Sequence, residues 1–313
     1  MRRNTMSVLA LLCICSVASA QQLLVFPAVT DEVPGLNDSL WVTMVRIVKA
    51  DPRDAVTIRR KWVCLPGGGF VDDPATAPAW SMEGPNTHDR VLGLSGHDLL
   101  RATGATSGAV ALEVGGGEVL AHAYVVDVLR GLYYPTTDFA VGQGQLIPPF
   151  ESPLQGPSHI PWLGACRNSP CSQDPPERWD YLRNNIGLVN PNPEPLSLTG
   201  TVIPFSVSAD LIEIPHEEHA PETFAKEVPA FGWLQFHWMA ELRYGENELG
   251  LPMIASGGFV ISLTPDKDLP YYAYASVVFT PDPESGVDAF NDPMYVPAEP
   301  GYIAPISEVI PPP

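Results

Sequence analysis

Four acidic residues lie close together in sequence within the segment Thr280–Asp292. They are Asp282, Glu284, Asp288 and Asp292. Hard cations such as calcium bind several carboxylate and carbonyl oxygens, which a loop can bring together. The spacing does not fit an EF-hand loop. The simpler interpretation is a solvated acidic loop, and the alternative is a calcium site formed by these four carboxylates. Calcium is the one cofactor that the sequence suggests.

The run from His216 to His219 contains two histidines with two glutamates between them. A zincin helix places its two metal-binding histidines at positions i and i+4, with a glutamate between them. Here the spacing is i and i+3, and Pro215 and Pro221 flank the run and disfavour a continuous helix. We therefore interpret this segment as an exposed acidic loop, with adventitious divalent-metal binding as the alternative.

No segment positions a nucleophile for hydrolysis, since the chain lacks the G-x-S-x-G elbow. The pairs His88-Asp89 and His97-Asp98 are adjacent in sequence, so their side chains would diverge in strands. The sequence therefore predicts a protein that is not an enzyme.

Aromatic residues cluster at Trp233 and Trp238 and again at Tyr272 and Tyr274. Exposed tryptophans and tyrosines can bind sugars and proteins, but aromatic residues at strand spacing usually pack in a core or against a neighbouring strand. Packing in the core is therefore one interpretation. The other is a binding face, for which these four residues are the candidates.

Residues 1–20 have the three parts of a secretory signal peptide. Arg2 and Arg3 form the basic start, Ser7–Val17 is a short apolar run, and Ala18–Ala20 fits the small-x-small cleavage rule. An uncleaved anchor is the alternative. No later apolar run approaches the ~20 residues that a membrane helix needs. We predict an exported protein, secreted or periplasmic, with no membrane span in the mature chain.

The composition is acidic and rich in turn-forming residues. The 313-residue chain has 17 basic and 36 acidic residues, and loss of Arg2 and Arg3 would make the mature protein more acidic still. Such a surface repels nucleic acid and anionic lipid. The 35 prolines and 26 glycines argue against long helices and for short strands joined by turns.

Three cysteines follow the signal peptide. Cys166 and Cys171 are predicted to form a small disulfide loop, because export permits disulfides. Cys64 would then be a buried, unpaired residue in a strand over Arg60–Leu65. A bridge from Cys64 to one of the other two cysteines is the alternative.

The segment Arg183–Phe205 predicts a hairpin of two strands around the proline-rich turn Asn190–Pro195. Trp41–Pro66 predicts a less regular copy around the turn Asp51–Asp54. Later segments match in the same order: Ser107-Gly108 with Ser256-Gly257, and Ala121–Val126 with Ala273–Val278, of which four of six positions are identical. This order predicts an internal duplication.

The predicted fold is all-β, with two tandem immunoglobulin-like antiparallel β-sandwich domains after a signal peptide. Each half has room for about seven short strands, as such a sandwich needs, although the Cys…Trp…Cys signature of antibody domains is absent. The predicted organisation is a signal peptide over 1–20, a sandwich over 21–148, a Pro-rich linker over 149–158, a sandwich over 159–299 and a Pro-rich tail over 300–313.

The segments Arg183–Pro191, Ala273–Val278 and Tyr295–Ala298 resemble a repeat of uncharacterised secreted bacterial proteins. In that repeat an R-x-N-x-G-hydrophobic-V-N strand, an alternating strand and an A-Y-A-S-V-V-D strand ending in F-x-P-A form one sandwich. Phe279 stands where the repeat usually has an acidic residue, and Trp41–Val48 belongs to a looser first copy. The resemblance implies tandem immunoglobulin-like sandwiches and brings no established activity.

From these observations we expect a non-enzymatic exported protein with a structural, adhesive or protein-partner-binding role. The alternative is a carbohydrate- or calcium-binding accessory module at the cell surface. The partner would be a protein or a polysaccharide, and nucleic acid is not expected to bind.

Overall fold

The computed structural model describes most of the chain beyond residue 20. The described residues are 21–34, 40–84, 90–128, 132–134, 139–141, 144–150, 152–165, 182–207, 222–237, 244–246, 252–253, 257–279 and 294–301. The protein is all-β in these ranges, apart from one five-residue helix, and its strands pair antiparallel in several sheets.

In the first half of the chain, the described residues form twelve strands and the helix. They are β1 Gln22–Thr30, β2 Val33–Pro34, β3 Leu40–Lys49, β4 Val56–Cys64, β5 Phe70–Val71, β6 Ala79–Met82, β7 Val91–Ser95, α1 Gly96–Leu100, β8 Ser107–Gly115, β9 Val119–Asp127, β10 Leu132–Tyr134, β11 Phe139–Val141 and β12 Gly144–Ile147. Sheet 1 has the order β1-β8-β4-β5, with β6 also on β4, and sheet 2 has the order β12-β9-β3-β2, with β7 also on β3. Strands β10 and β11 pair separately.

The described residues of the second half form eleven strands. They are β13 Ser158–Ala165, β14 Leu182–Asn190, β15 Leu196–Val207, β16 Glu222–Val228, β17 Gly232–His237, β18 Tyr244–Glu246, β19 Pro252–Met253, β20 Gly257–Pro265, β21 Tyr272–Phe279, β22 Met294–Pro297 and β23 Glu299–Pro300. Sheet 3 has the order β16-β15-β20-β13-β23, and sheet 4 has the order β17-β14-β21-β22. Strands β18 and β19 pair separately.

The main strands of the two halves have the same spatial order. In the first half the orders are β6-β4-β8-β1 and β7-β3-β9-β12, and in the second they are β16-β15-β20-β13 and β17-β14-β21-β22. In each half the chain passes from one sheet to the other at the same points in its succession of strands. The segments that match in sequence therefore occupy matching places in the sheets.

The segment Arg183–Phe205 is not a hairpin, which corrects the prediction from its sequence. Strand β14 pairs with β17 and β21 in sheet 4, whereas β15 pairs with β16 and β20 in sheet 3. The turn between them carries the chain from one sheet to the other. Asn190 fixes this turn, because its side-chain amide donates to the carbonyl oxygens of Glu194, Val228 and Pro229.

The same correction applies to Trp41–Pro66. Strand β3 lies in sheet 2 and β4 in sheet 1, so the turn after Lys49 also crosses between sheets. Two strands around a turn give the same alternating pattern whether they pair with each other or face each other across a core. Periodicity alone therefore did not distinguish a hairpin from a crossing.

Apolar side chains between the sheets form two large cores. One core packs residues of the second half, including Ile186, Leu198 and Ile261, and another packs residues of the first half, including Phe26, Ile58 and Leu112. A third, smaller cluster joins the two halves, and its members are Val25, Trp62, Cys64, Ala109, Ala111, Val189, Trp233 and Tyr272. We call this third cluster the seam.

A buried charge lies inside the first half. The pairing of β4 with β8 shifts between Arg60 and Trp62, and the Arg60 side chain is almost completely buried. Its guanidinium donates to both carboxylate oxygens of Asp72, at 2.7 and 2.8 Å, and to the carbonyl oxygens of Leu99 and Arg101. Arg60 therefore ties β4 to the loop after β5 and to the end of α1.

Candidate functional site

Several residues that the sequence singled out lie outside the described residues. These are the calcium candidates Asp282, Glu284, Asp288 and Asp292, the predicted disulfide partners Cys166 and Cys171, the run His216–His219 and Trp238. Within the described residues, no group of three or more histidine, cysteine, aspartate or glutamate side chains is arranged to hold a metal ion.

The other three aromatic candidates are buried, which agrees with the interpretation that they pack and not with the alternative of a solvent-facing binding face. Trp233 is 7% exposed, Tyr272 3% and Tyr274 1%. All three extend from sheet 4 towards the first half of the chain, on the side opposite the core of the second half. They are covered because the second sandwich packs against the first, an arrangement that strand spacing does not reveal.

Backbone and side-chain hydrogen bonds hold the seam together. The Trp233 indole donates to the carbonyl oxygen of Pro27 at 2.7 Å, and its backbone N–H donates to the carbonyl oxygen of Leu65 at 2.9 Å. The Leu65 N–H in turn donates to the carbonyl oxygen of Phe231. These contacts join strand β17 to the end of β4 across the two halves.

Cys64 is buried in strand β4, as expected from the sequence, and it is a free thiol. The thiol donates to the carbonyl oxygen of Asn190 at 3.3 Å. Burial raises the pKa of the Cys64 thiol well above its ordinary value. Because the thiolate is the reactive form, this cysteine is a packing residue of the seam and not a nucleophile.

Burial also raises the pKa of three tyrosines where the two halves meet. The pKa of Tyr272 rises to about 12, chiefly because the ring is buried and secondarily because of the nearby Cys64. Burial likewise raises the pKa of Tyr274 and of Tyr295, whose rings stack at 5.5 Å. The neutral phenols are therefore favoured in the folded protein more than in the unfolded chain.

We expect the folded protein to lose stability as the pH rises from 10 to 12. A phenol whose pKa is raised on folding contributes stability that is complete below its unfolded pKa of 10.0 and is lost through its folded pKa, about 12 for Tyr272. Denaturant unfolding at a series of alkaline pH values measures this loss, and Tyr272→Phe should reduce it. Tyrosinate absorbance that rises with a midpoint near pH 10 for every tyrosine in the folded protein would contradict the expectation.

The outer side of sheet 2 is an exposed apolar surface. Leu120 is 66% exposed, Val91 54%, Leu146 53% and Tyr124 38%. The strand registers place these residues beside half-buried neighbours of β3, since Leu120 pairs with Val48 and Tyr124 pairs with both Met44 and Leu146. We call this surface the outer face of sheet 2, and its members are Val42, Met44, Arg46, Val48, Val91, Leu120, His122, Tyr124 and Leu146.

Two basic side chains lie at the centre of this face. Arg46 pairs with His122 in the register of β3 and β9, and the His122 ring contacts the Tyr124 ring edge-on at 5.0 Å. Partial burial, and to a smaller extent the charge of Arg46, lower the pKa of His122. The neutral imidazole of His122 is therefore favoured, and Arg46 is the one cationic side chain among the members of this face, on a protein whose net charge is −19.

The sequence did contain a signal for this face. A strand with one solvated side alternates apolar and polar residues, whereas Val119–Asp127 is apolar at most positions on both sides. Its inward residues Val119 and Ala123 are buried in the core, and Leu120 and Tyr124 face outward. A strand with two apolar sides in an antiparallel sandwich indicates a second contact surface.

No family model matches the chain, and no curated protein matches it. Among the described residues, no helix is long and apolar enough to cross a membrane. Function is therefore inferred from the surfaces of the molecule itself.

Proposed function

We propose that the protein is an exported, non-enzymatic binding protein that holds a protein partner on the outer face of sheet 2. The observation that carries this proposal is the exposure of Leu120, Val91, Leu146 and Tyr124 on neighbouring strands of one sheet. Contiguous apolar surface on a protein in water marks contact sites, because covering it removes that area from water.

The apolar members of the face indicate the chemistry of the partner. Apolar side chains surround Arg46 and His122, so a fitting partner surface is mainly apolar. A second copy of the chain fits less well. Two copies of this strongly acidic chain repel each other.

The proposed architecture is a tandem pair of immunoglobulin-like sandwiches behind a signal peptide. The shared strand order of the two halves supports the duplication. The pairs β3–β7 and β4–β8 correspond to the B–E and C–F pairs of the immunoglobulin fold. The likeness is limited to these pairs. Strand β1 lies beside β8, whereas immunoglobulin domains place the first strand beside strand B. Strand β9 lies beside β3, whereas immunoglobulin domains place the last strand beside strand F.

Site-specific photo-crosslinking in the producing cells tests the proposed contact surface. A photo-reactive residue at Leu120 should give one defined protein adduct, because the partner covers this position. The same residue at Thr199, exposed on β15 of the other sandwich, is the control and should not give that adduct. Equal adducts from both positions, or an adduct to a second copy of the chain, would refute the proposal.

The purified partner then allows a quantitative test. We expect Leu120→Ser combined with Leu146→Ser to weaken binding at least about tenfold, since each exposed leucine buried on binding is worth roughly 1.5–3 kcal/mol and 1.4 kcal/mol is tenfold. Val71→Ser changes an equally exposed apolar residue of β5 in sheet 1 and should leave the affinity unchanged. Isothermal titration calorimetry measures all three proteins, and an unaltered affinity of the double variant would contradict the assignment.

A further inference from the structure

The outer face of sheet 2 has a counterpart in the second half of the chain. The matched segments Ala121–Val126 and Ala273–Val278 lie in β9 and β21, which take the same place in sheets 2 and 4. The strand registers extend this match to the neighbouring strands, because β7, β3 and β12 surround β9 as β17, β14 and β22 surround β21. Residues of the outer face can therefore be paired with residues of sheet 4 that point to the same side.

The four exposed residues of the outer face correspond to four residues of sheet 4. Val91 lies in line with Leu120 across β3. Trp233 lies in line with Tyr272 across β14 in the same way. The corresponding pairs, with the first-half member first, are Leu120 and Tyr272, Tyr124 and Ser276, Val91 and Trp233, and Leu146 and Tyr295.

All four residues of sheet 4 contact the first sandwich. Tyr272 and Trp233 are members of the seam, and Tyr295 packs against the core of the first half. Ser276 is 8% exposed, and its hydroxyl donates to the side-chain oxygen of Gln145 in β12 at 2.8 Å. Sheet 4 thus holds a sandwich at the same four positions that sheet 2 leaves exposed.

We propose that the outer face of sheet 2 binds a third β-sandwich domain, supplied by another protein, as sheet 4 binds the first sandwich. This inference rests on the proposed function and names the class of partner held on that face. The two halves share strand order and register, and the first half has apolar residues at the positions that are contacts in the second. Exposed apolar surface at the positions of an existing interface indicates a contact with another molecule.

Within the described residues, a second copy of this chain offers no free surface of the required kind. Val25, Trp62 and Ala111 of the first sandwich belong to the seam, where the second sandwich already covers them. In sheet 3 the cross-strand pair that matches Trp62 and Ala111 is Ile203 and Val260, which are 5% and 9% exposed. The third sandwich is therefore assigned to a different protein.

The centre of the outer face also distinguishes the partner from the first sandwich. Arg46 and His122 take the positions that Gly187 and Tyr274 have in sheet 4. The Tyr274 ring lies across Gly187, where an added Cβ would overlap the ring. The partner surface must instead accommodate a guanidinium, so the two docking surfaces are not interchangeable.

The contacts of the second half predict which parts of the partner sandwich are touched. The Trp233 indole donates to the carbonyl oxygen of Pro27 in β1, the first strand of its sandwich. The Tyr295 ring contacts the ring of Phe150, which follows β12, the last strand of that sandwich. The matching positions on the outer face of sheet 2 should therefore lie at the first strand of the partner sandwich and just after its last strand.

Photo-crosslinking from two sides of the face in the producing cells tests the class of partner. Benzoylphenylalanine replaces Val91 in one variant and Leu146 in another, and mass spectrometry of the adducts locates the attached partner residues. Both variants should capture the protein found with the photo-reactive residue at Leu120, at two separate sites in one β-sandwich domain whose structure is then determined. Benzoylphenylalanine at Val71, an exposed apolar position of β5, is the control and should not capture that protein.

The outcomes separate this inference from the proposed function. If a defined partner is captured at Leu120 but its attached domain is not a β-sandwich, the inference is overturned and the proposed function stands. Attachment of the Val91 and Leu146 variants to a single partner segment, or to two different domains, overturns the inference in the same way. Absence of a defined adduct at Leu120 refutes the proposed function, and the inference fails with it.

Discussion

Replacing Trp233 with alanine is expected to lower the free energy of unfolding by about 3–5 kcal/mol, as truncation of a buried tryptophan does in other cores. Trp233 is 7% exposed and lies in the seam with residues of both halves, among them Val25 and Trp62. The indole also donates to Pro27 across the seam. Because the lost contacts join the two halves, the variant should unfold in two separate transitions.

Denaturant unfolding followed by far-UV circular dichroism measures this effect. Trp233→Phe is the matched variant, since it keeps most of the apolar area and removes the N–H that satisfies the Pro27 carbonyl. We expect it to cost about 1–3 kcal/mol, the penalty for leaving a buried polar group without a partner. An unfolding midpoint unchanged in Trp233→Ala would show that the seam does not contribute to stability.

Replacing Asp72 with alanine should destabilise the protein by about 3–5 kcal/mol, the range for removing one partner of a buried ion pair. The side chains of Arg60 and Asp72 are 2% and 8% exposed, so the charge of Arg60 would be left without a counter-ion away from water. The carbonyl oxygens of Leu99 and Arg101 and the ring of Phe70, 5.7 Å from the guanidinium carbon, cannot neutralise that charge.

Two further variants separate the effect of charge burial from the loss of contacts. Arg60→Met combined with Asp72→Ala removes both charges, and it should be more stable than Asp72→Ala alone because no unpaired charge remains. Asp51→Ala breaks the exposed pair with Arg53 and should have a much smaller effect. Chemical denaturation of the four proteins provides the comparison. If the double variant is no more stable than Asp72→Ala, the explanation by charge burial is wrong.

The strands themselves were predictable from the sequence. The alternation around Leu196–Val202 and the dense apolar run at Ala273–Val278 correspond to β15 and β21. Asn190, Pro191 and Pro193 indicated the turn, and the structure adds that the Asn190 amide donates to three carbonyl oxygens there. Local backbone preferences are sufficient for these features, because they depend on neighbours in the chain.

Strand partners were not predictable in the same way. Strand β14 is followed directly by β15, yet the two lie in different sheets and face each other across a core. A residue period of two places side chains on alternate sides of a strand and carries no information about which strand supplies the hydrogen bonds. Pairing is decided by how distant segments pack, and this requires the folded molecule.

The aromatic residues and the candidate surface show the same division between sequence and tertiary structure. The sequence determined an acidic, proline-rich, all-β chain with matching segments in its two halves, since composition and period are local properties. Only the tertiary structure decided that Trp233 and Tyr272 are covered by the first sandwich while Leu120 and Leu146 remain exposed. Exposure depends on which sheet faces meet, and that is set by contacts between residues far apart in the chain.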